Sequence, residues 1–351
     1  MQFGLFYQLP CAPGQSELVR YQETMEQIIY ADELGFDVAW LAELHFYRGF
    51  SIMPAPLVVA ATLAARTKRI RLGIAVNLLP LHHPLRAAEE GATLDLLSGG
   101  RLEFGVGRGA APLHFQGFQV SREESRERFE ETLTVIKQAW TSESVSFTGR
   151  YYQIPQTAVV PRPVQKPHPP IRIAANSAET AAFAGRQGYP IFVATPVNPM
   201  PQFFEQVRTY QHAWRAAGHP NDADDVAAAF LVYTADTLEQ GRRETEASLS
   251  YYFHTVGELV HLGERGQGQQ SYEYLRGVQE RATISYDQVH DTMAVFGNPD
   301  ECIAKITDIH RQVAIRQLIC WFNPGGLVPH RQVMRAMQRF ATDVIPATRN
   351  L

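Results

Sequence analysis

The sequence predicts an α/β fold, a parallel (β/α)8 or TIM barrel that occupies residues 1–351 as one domain. Three observations predict it. Eight short apolar runs alternate with helical patterns along the chain. The runs are apolar throughout rather than at every second residue, as strands covered on both faces are. The length of 351 residues suits one large barrel. A doubly wound sheet is the competing architecture, and the count of eight favours the barrel.

Phe3–Tyr7 is the first strand, followed by a helix from Glu17 to Leu34 that Gly35 ends. Phe36–Leu41 is the second, followed by a helix over Pro54–Ala65 with proline in its first turn. Ile70–Val76 is the third, and its helix, Leu85–Leu97, closes at Ser98, Gly99 and Gly100. Leu102–Val106 is the fourth. Ser121 to Glu124 fits a capping box, with an acid in its last place, before a long helix to Trp140. Residues 141–170 break the rhythm as an insertion after the fourth helix. Val145–Phe147 and Tyr151–Ile154 read as a hairpin around Gly149, and five prolines lie between Pro161 and Pro170. The alternation resumes with strand Ile171–Ala174, helix Ser177–Gln187, strand Ile191–Ala194 and helix Pro199–Ala217. Val226–Tyr233 is the seventh strand, with helix from Thr237 onward. Gly263–Ser271 is rich in Gly and Gln, which predicts a mobile segment. Arg316–Phe322 is the eighth strand and Pro329–Val344 the closing helix.

A net charge of −4 gives no electrostatic footprint for nucleic acid. No apolar run is long enough for a membrane span, and the first residues lack the basic start of a signal peptide. Three distant cysteines, Cys11, Cys302 and Cys320, without a Cys-x-x-Cys pattern, predict reduced thiols in a cytoplasmic protein.

Barrel active sites lie at the C-terminal ends of the strands. The run Gly105-Val106-Gly107-Arg108-Gly109 ends the fourth strand with glycines around one arginine. Glycine allows close approach of a ligand, and the guanidinium suits phosphate. After the fifth strand, Asn176, Ser177 and Thr180 open a helix, where N–H groups also favour an anion. Two such places imply one phosphorylated cofactor. The plainer readings are a surface ion pair for Arg108 and helix capping for Ser177 and Thr180. Gly105-x-Gly107-x-x-Ala110 loosely fits a dinucleotide fingerprint, but Pro112 intervenes and the next clear helix start is Ser121. After the second strand, His45 stands beside Glu43, Phe46 and Tyr47, which makes it an acid/base candidate as well as a possible structural histidine. His82 and His83 follow the third strand, but adjacent side chains diverge, so no metal is expected. Trp321 and Phe322 end the eighth strand before a Gly-Gly turn.

These residues carry a resemblance to the bacterial luciferase-like flavin-dependent monooxygenases over almost the whole chain. It rests on Met1-Gln2-Phe3-Gly4, Gly35-Phe36-Asp37 to Trp40, Glu43-x-His45-Phe46, Leu79-Pro80 and His83-Pro84-x-Arg86. It continues through Asp95-x-x-Ser98-x-Gly100-Arg101, Gly105 to Gly109, Ser177 with Thr180, Gly297 to Cys302, and Val344-Ile345-Pro346. The resemblance implies a barrel with a long insertion between strand seven and helix eight, here about 261–298, with a mobile lid around 263–292. It implies FMN, or deazaflavin F420 in one branch, with the phosphate on Arg108, Ser177 and Thr180 and with help from Arg126. It also implies a cis peptide at Ala75–Val76 beneath the flavin ring, and a homodimer. The apolar segment Pro56–Ala64 suits a subunit interface or a helix packed on the barrel.

The chain departs from the pattern in three places. The catalytic histidine of luciferase stands here as Leu44, which argues against light emission and leaves His45. A position that can hold a reactive cysteine is Gly107, which gives the flavin more room. A tryptophan after strand six is Thr195, which reshapes the pocket.

The activity implied is an FMN-dependent monooxygenase fed with reduced FMN by a separate NAD(P)H:flavin reductase. Dioxygen would add to the reduced flavin as a C4a-hydroperoxide and oxygenate a small, apolar organic substrate. Asn77 and Tyr7 are pocket hydrogen-bonding candidates, and Phe6, Phe46, Leu78, Trp321 and Phe322 candidate walls. The alternatives are F420-dependent hydride transfer and a non-catalytic flavin-binding or partner subunit.

Overall fold

The computed structural model describes residues 1–220, 224–264 and 284–351, and in it eight parallel strands close into a barrel. In chain order the strands are β1 (Gln2–Tyr7), β2 (Val38–Leu41), β3 (Arg71–Leu78), β4 (Leu102–Gly107), β5 (Val145–Thr148), β6 (Gln153–Thr157), β7 (Ile171–Ala174), β8 (Ile191–Ala194), β9 (Val226–Thr234), β10 (Ala294–Gly297) and β11 (Gln317–Trp321). The helices used below are α1 (Glu17–Leu34), α2 (Pro56–Ala64), α3 (Pro84–Leu97), α4 (Pro112–Phe118), α5 (Ser125–Thr141), α6 (Ala178–Gln187), α7 (Met200–Ala216), α8 (Leu238–Glu264), α9 (Tyr286–Met293), α10 (Pro299–Gln312) and α11 (His330–Arg339). The barrel runs β1-β2-β3-β4-β7-β8-β9-β11 and closes from β11 back to β1.

Local chemistry sets the element ends. Ser16 caps α1 by accepting from the Val19 N–H, and Gly35 ends it at φ 87°. The expected hairpin forms from β5 and β6, antiparallel. Two expectations fail between β4 and α5. Pro112 begins α4 instead of separating two elements, because a proline at the first helical position has no N–H to lose. Ser121 caps nothing; its hydroxyl bonds Glu123, and α5 starts at Ser125 without a side-chain cap.

The insertion before α10 contributes α9 and an additional strand. β10 pairs in parallel with residues 231–234 at the end of β9, of which the last three extend beyond the stretch that pairs with β8 and β11. The Gly263–Ser271 segment lies largely outside the described residues, as does much of the expected lid. Among the described residues no helix is long and apolar enough to cross a membrane. The three cysteines are buried free thiols.

The main core lies between strands and helices, and a smaller one fills the barrel around Trp40. Trp40 donates from Nε1 to Gln317 Oε1 at 2.7 Å. Gly73 leaves room for its ring, since a Cβ there would come within 2.3 Å of it. Arg172 plugs the same end, forked onto Asp225 at 2.8 and 3.0 Å. The N-terminal part of the barrel is therefore filled, and among the described residues the main cavity opens at the other end.

Candidate active site

A cavity of about 380 Å³ opens at the C-terminal ends of the strands. One end is polar. The loop after β4 brings Arg108 there, between Gly107 and Gly109, the latter at φ 83°. Arg122 and Arg126 reach the same rim, as do Asn176, Ser177 and Thr180. Ser177 caps α6, accepting from Thr180 N at 3.3 Å, and the two hydroxyls lie 2.9 Å apart. Asn176 accepts from Ala194 N at 3.3 Å, which ties the loop to the end of β8. Arg126 pairs with Glu179 and with Glu130, the latter at 3.2 Å. Arg108 has no ion pair with a carboxylate among the described residues. Burial lowers its pKa, with Glu179 opposing and the neighbouring Arg126 and Arg122 adding to the effect. Its ordinary value is so high that it stays charged near neutral pH. A half-buried guanidinium beside a helix N-terminus is a donor set for a phosphate.

The interior is apolar. Phe6, Ala75, Val76, Leu78, Phe192 and Trp321 line it from the barrel, and Tyr252, Val256 and Leu259 from α8. The Ala75–Val76 peptide is cis, as the resemblance implies. Leu44 also lines the cavity, at the position that the resemblance pairs with a histidine.

Glu43 and His114 stand in the inner wall as ionisable groups. Glu43 Oε1 accepts from His45 Nε2 at 3.0 Å and from His82 Nε2 at 2.7 Å, while Oε2 accepts from Leu78 N at 2.9 Å. Burial opposes its ionisation, but these three hydrogen bonds and the charge of His82 outweigh it, and the Glu43 pKa falls to about 2. His82 titrates above its ordinary value; burial disfavours its charge, and Glu43 more than compensates.

Several expected site residues do not face the cavity. His45 is 8% exposed and packs edge-on against Phe118 and His114, so Glu43 stands between it and the open space. Phe46 is exposed, at φ 65°, and lies on Phe118 outside the cavity. Tyr7 points into the helical layer, its hydroxyl 4.0 Å from Met337 Sδ. Phe322 likewise packs on Phe340. The reason is strand parity: Phe6 and Trp321 take the inner face, so their neighbours take the outer one. Thr195 is fully buried and donates to the Met293 carbonyl at 2.6 Å. Asn77 is buried in the wall, donating to the Gly105 carbonyl at 2.9 Å.

Sequence reading gave no role to His114 or to the α8 residues. His114 became visible only once α4 was known to start at Pro112. The α8 residues show nothing more than ordinary helical periodicity.

The profile of the family described as "Luciferase-like monooxygenase" matches residues 1–316. An "Alkanal monooxygenase alpha chain" from the Kryptophanaron alfredi symbiont is 25% identical over 99% of this chain and 98% of its own length. The "Flavin-dependent trigonelline monooxygenase, oxygenase component" of Acinetobacter baylyi is 32% identical over 56% of this chain and 55% of its own length. For two relatives at 41% and 35% identity, the chain also spans about half of their length, 51% and 57%. The crystal structure of monooxygenase RslO1 from Streptomyces bottropensis superposes with a TM-score of 0.82 and 28% identity, covering 99% of both chains.

Proposed function

The chain belongs to the luciferase-like monooxygenase family, and on that premise we propose that it is an FMN-dependent monooxygenase acting on a small, apolar organic substrate. The observation that carries this reading is the cavity itself, with Arg108 and the start of α6 at a polar rim and an apolar interior behind them. Those residues fit a phosphorylated flavin. Arg108, Ser177 and Thr180 would hold the phosphate, with Arg126, Asn176 and Gly107 completing the rim, and Ala75 and Val76 would support the ring. Bound reduced flavin supplies the electrons that activate dioxygen.

The chain's own residues bind, exclude water and handle protons. Phe6, Leu78, Phe192 and Trp321 keep the interior dry. Glu43 holds a fixed negative charge at the cavity wall, and His82, whose charged form it favours, is the group of this pair that can exchange a proton with solvent. His45 acts through Glu43, as a positioning residue. The family relative named as an oxygenase component supports a separate flavin reductase as partner. The buried free thiols suit the cytoplasm. Apolar side chains exposed on α2 and α3 support a homodimer.

The test supplies purified protein with FMN, a flavin reductase, NADH and a panel of apolar carbonyl compounds under oxygen-18 gas. The expected result is a product carrying one labelled oxygen atom. Preferential binding of F420 without oxygen uptake would replace this reading with hydride transfer. Flavin binding with every panel compound unchanged would replace it with a non-catalytic role.

A further inference from the structure

We propose that Gln8 is a substrate-binding residue whose side-chain amide holds a hydroxyl group of the substrate, beside the group that is oxygenated. The proposal rests on the function proposed above and adds the substrate's polar group to it. It starts where the chain leaves β1. Phe6 faces the barrel interior and Tyr7 the helical layer. The ladder to β2 continues past them, with the Ala42 N–H donating to the Tyr7 carbonyl at 3.0 Å. Alternation therefore turns Gln8 inward again, one layer above Phe6, into the cavity that both residues line.

One end of the amide is fixed. Nε2 donates to the Phe50 carbonyl at 2.8 Å. A carbonyl can only accept, so the nitrogen must face Phe50 and Oε1 must turn away from it. Oε1 receives no hydrogen bond among the described residues. Gln8 is 3% exposed, yet Oε1 is not one of the fully enclosed side-chain atoms that lack a partner. The small surface that Gln8 keeps therefore includes this oxygen, and a ligand atom in the cavity can reach it. An acceptor in so buried a place costs stability until a ligand or water fills it.

The surroundings select the ligand group. Phe50, Tyr252, Trp321 and Phe6 form a chain of ring contacts with centroids 6.4, 5.0 and 4.8 Å apart, and all four line the cavity. Gln8 is a neutral polar group among these rings. Glu43, the charged acceptor of the wall, has both oxygens engaged. In the barrel order β1 stands opposite β7, which leads to the phosphate rim, so Gln8 serves the end of the cavity away from the flavin tail. A primary amide offers an acceptor oxygen and a second N–H. A hydroxyl both donates and accepts, so it matches the amide fully. A ketone can use only the N–H, and a hydrocarbon uses neither.

The test titrates the protein, with and without saturating oxidised FMN, with cyclohexanol, cyclohexanone and methylcyclohexane by ligand-observed NMR. Wild type is compared with Gln8→Leu and Gln8→Met, each checked for folding by circular dichroism. The readout is the ratio of the cyclohexanol affinity to the methylcyclohexane affinity. A merely structural role of Gln8 would not move it, since loosened packing weakens both ligands alike. The ratio should fall about tenfold in Gln8→Leu, the loss of one hydrogen bond. If Gln8→Leu does not fold because the Phe50 carbonyl has lost its donor, Gln8→Met, unbranched like Gln, takes its place with the same expectation. An unchanged ratio in a folded variant, or a loss confined to cyclohexanone, overturns the proposal. An unchanged ratio together with weaker FMN binding also overturns it and gives Gln8 to the flavin. Wild-type protein that binds no FMN overturns the function proposed above, while the ratio in the FMN-free protein still decides whether Gln8 holds a hydroxyl.

Discussion

Glu43 accepts the Nε2–H of His82 at 2.7 Å, so a carboxylate in the cavity wall, 2% exposed in its side chain, is joined to a ring that is 31% exposed. The link gives the buried charge a partner that solvent can protonate. It also sets a pH window. The Glu43 pKa is depressed from 4.5 to about 2, so its share of stability is complete above 4.5 and is lost as pH falls toward 2. The His82 pKa is raised above 6.5, so its share is complete below 6.5 and is lost as pH rises through the folded value. The two shifts describe one coupled interaction, counted once. Stability from this pair should therefore peak between 4.5 and 6.5. Glu43→Gln should flatten that peak and cost about 1–3 kcal/mol within it. Urea denaturation from about pH 3 to about pH 9 measures both, and superimposable profiles for the two proteins would refute the assignment.

Arg108→Ala removes the rim guanidinium that is free of carboxylate ion pairs among the described residues. FMN affinity should fall about ten- to a hundredfold, the loss of a charge-assisted contact of roughly 1.5–3 kcal/mol. Arg126→Ala should cost less, because Arg126 is already held by Glu179 and Glu130. Titration of the two variants with FMN checks the order, and equal affinities would remove Arg108 from the phosphate site.

Gly107 is a glycine for a reason visible in its neighbour. A Cβ there would come within 2.5 Å of Val76 Cγ2. A cysteine at this place, which the resemblance would allow, therefore does not fit beside Val76 without a shift. Gly107→Cys should destabilise the fold by about 1–3 kcal/mol through overpacking. Val76→Ala should recover most of that loss when combined with it, a coupling that adjacent sites allow. Thermal denaturation of the four proteins of the cycle measures the coupling; additive effects would mean that the clash is relieved elsewhere.

Much of the fold was legible because its boundaries have local causes. Helix α1 runs over the expected residues because Ser16 and Gly35 mark both ends. Strands β7 and β8 match because a proline, Pro170 or Pro190, stands directly before each apolar run and marks its start. The site was less legible. Placing Tyr7 with Phe6, or Phe322 with Trp321, on one wall conflicts with the alternation of a strand, and the structure follows the alternation. His45 was weighed by its residue type, but the loop after β2 turns Glu43 and Leu44 inward and His45 back. Strand β10 was hidden because it pairs only with the end of an unusually long neighbour, a tertiary fact without a local sequence signal.

The outer helices carry the last expectation. Helix α2 buries Val59, Ala60 and Leu63 against the barrel, yet Val58 remains 67% exposed. On α3, Leu96 and Leu97 are 47% and 63% exposed. Apolar side chains left in water on two neighbouring helices favour burial against a second copy of the chain, and each such residue buried there contributes about 1.5–3 kcal/mol. Light scattering should therefore show a dimer at micromolar concentration. Val58→Glu combined with Leu97→Glu should shift it to monomer, since burying two unpaired carboxylates costs more than the contact returns. FMN affinity should be unchanged in the monomer, because neither residue lines the cavity. A wild-type protein that runs as a monomer, or a double variant that still dimerises, would place any interface elsewhere.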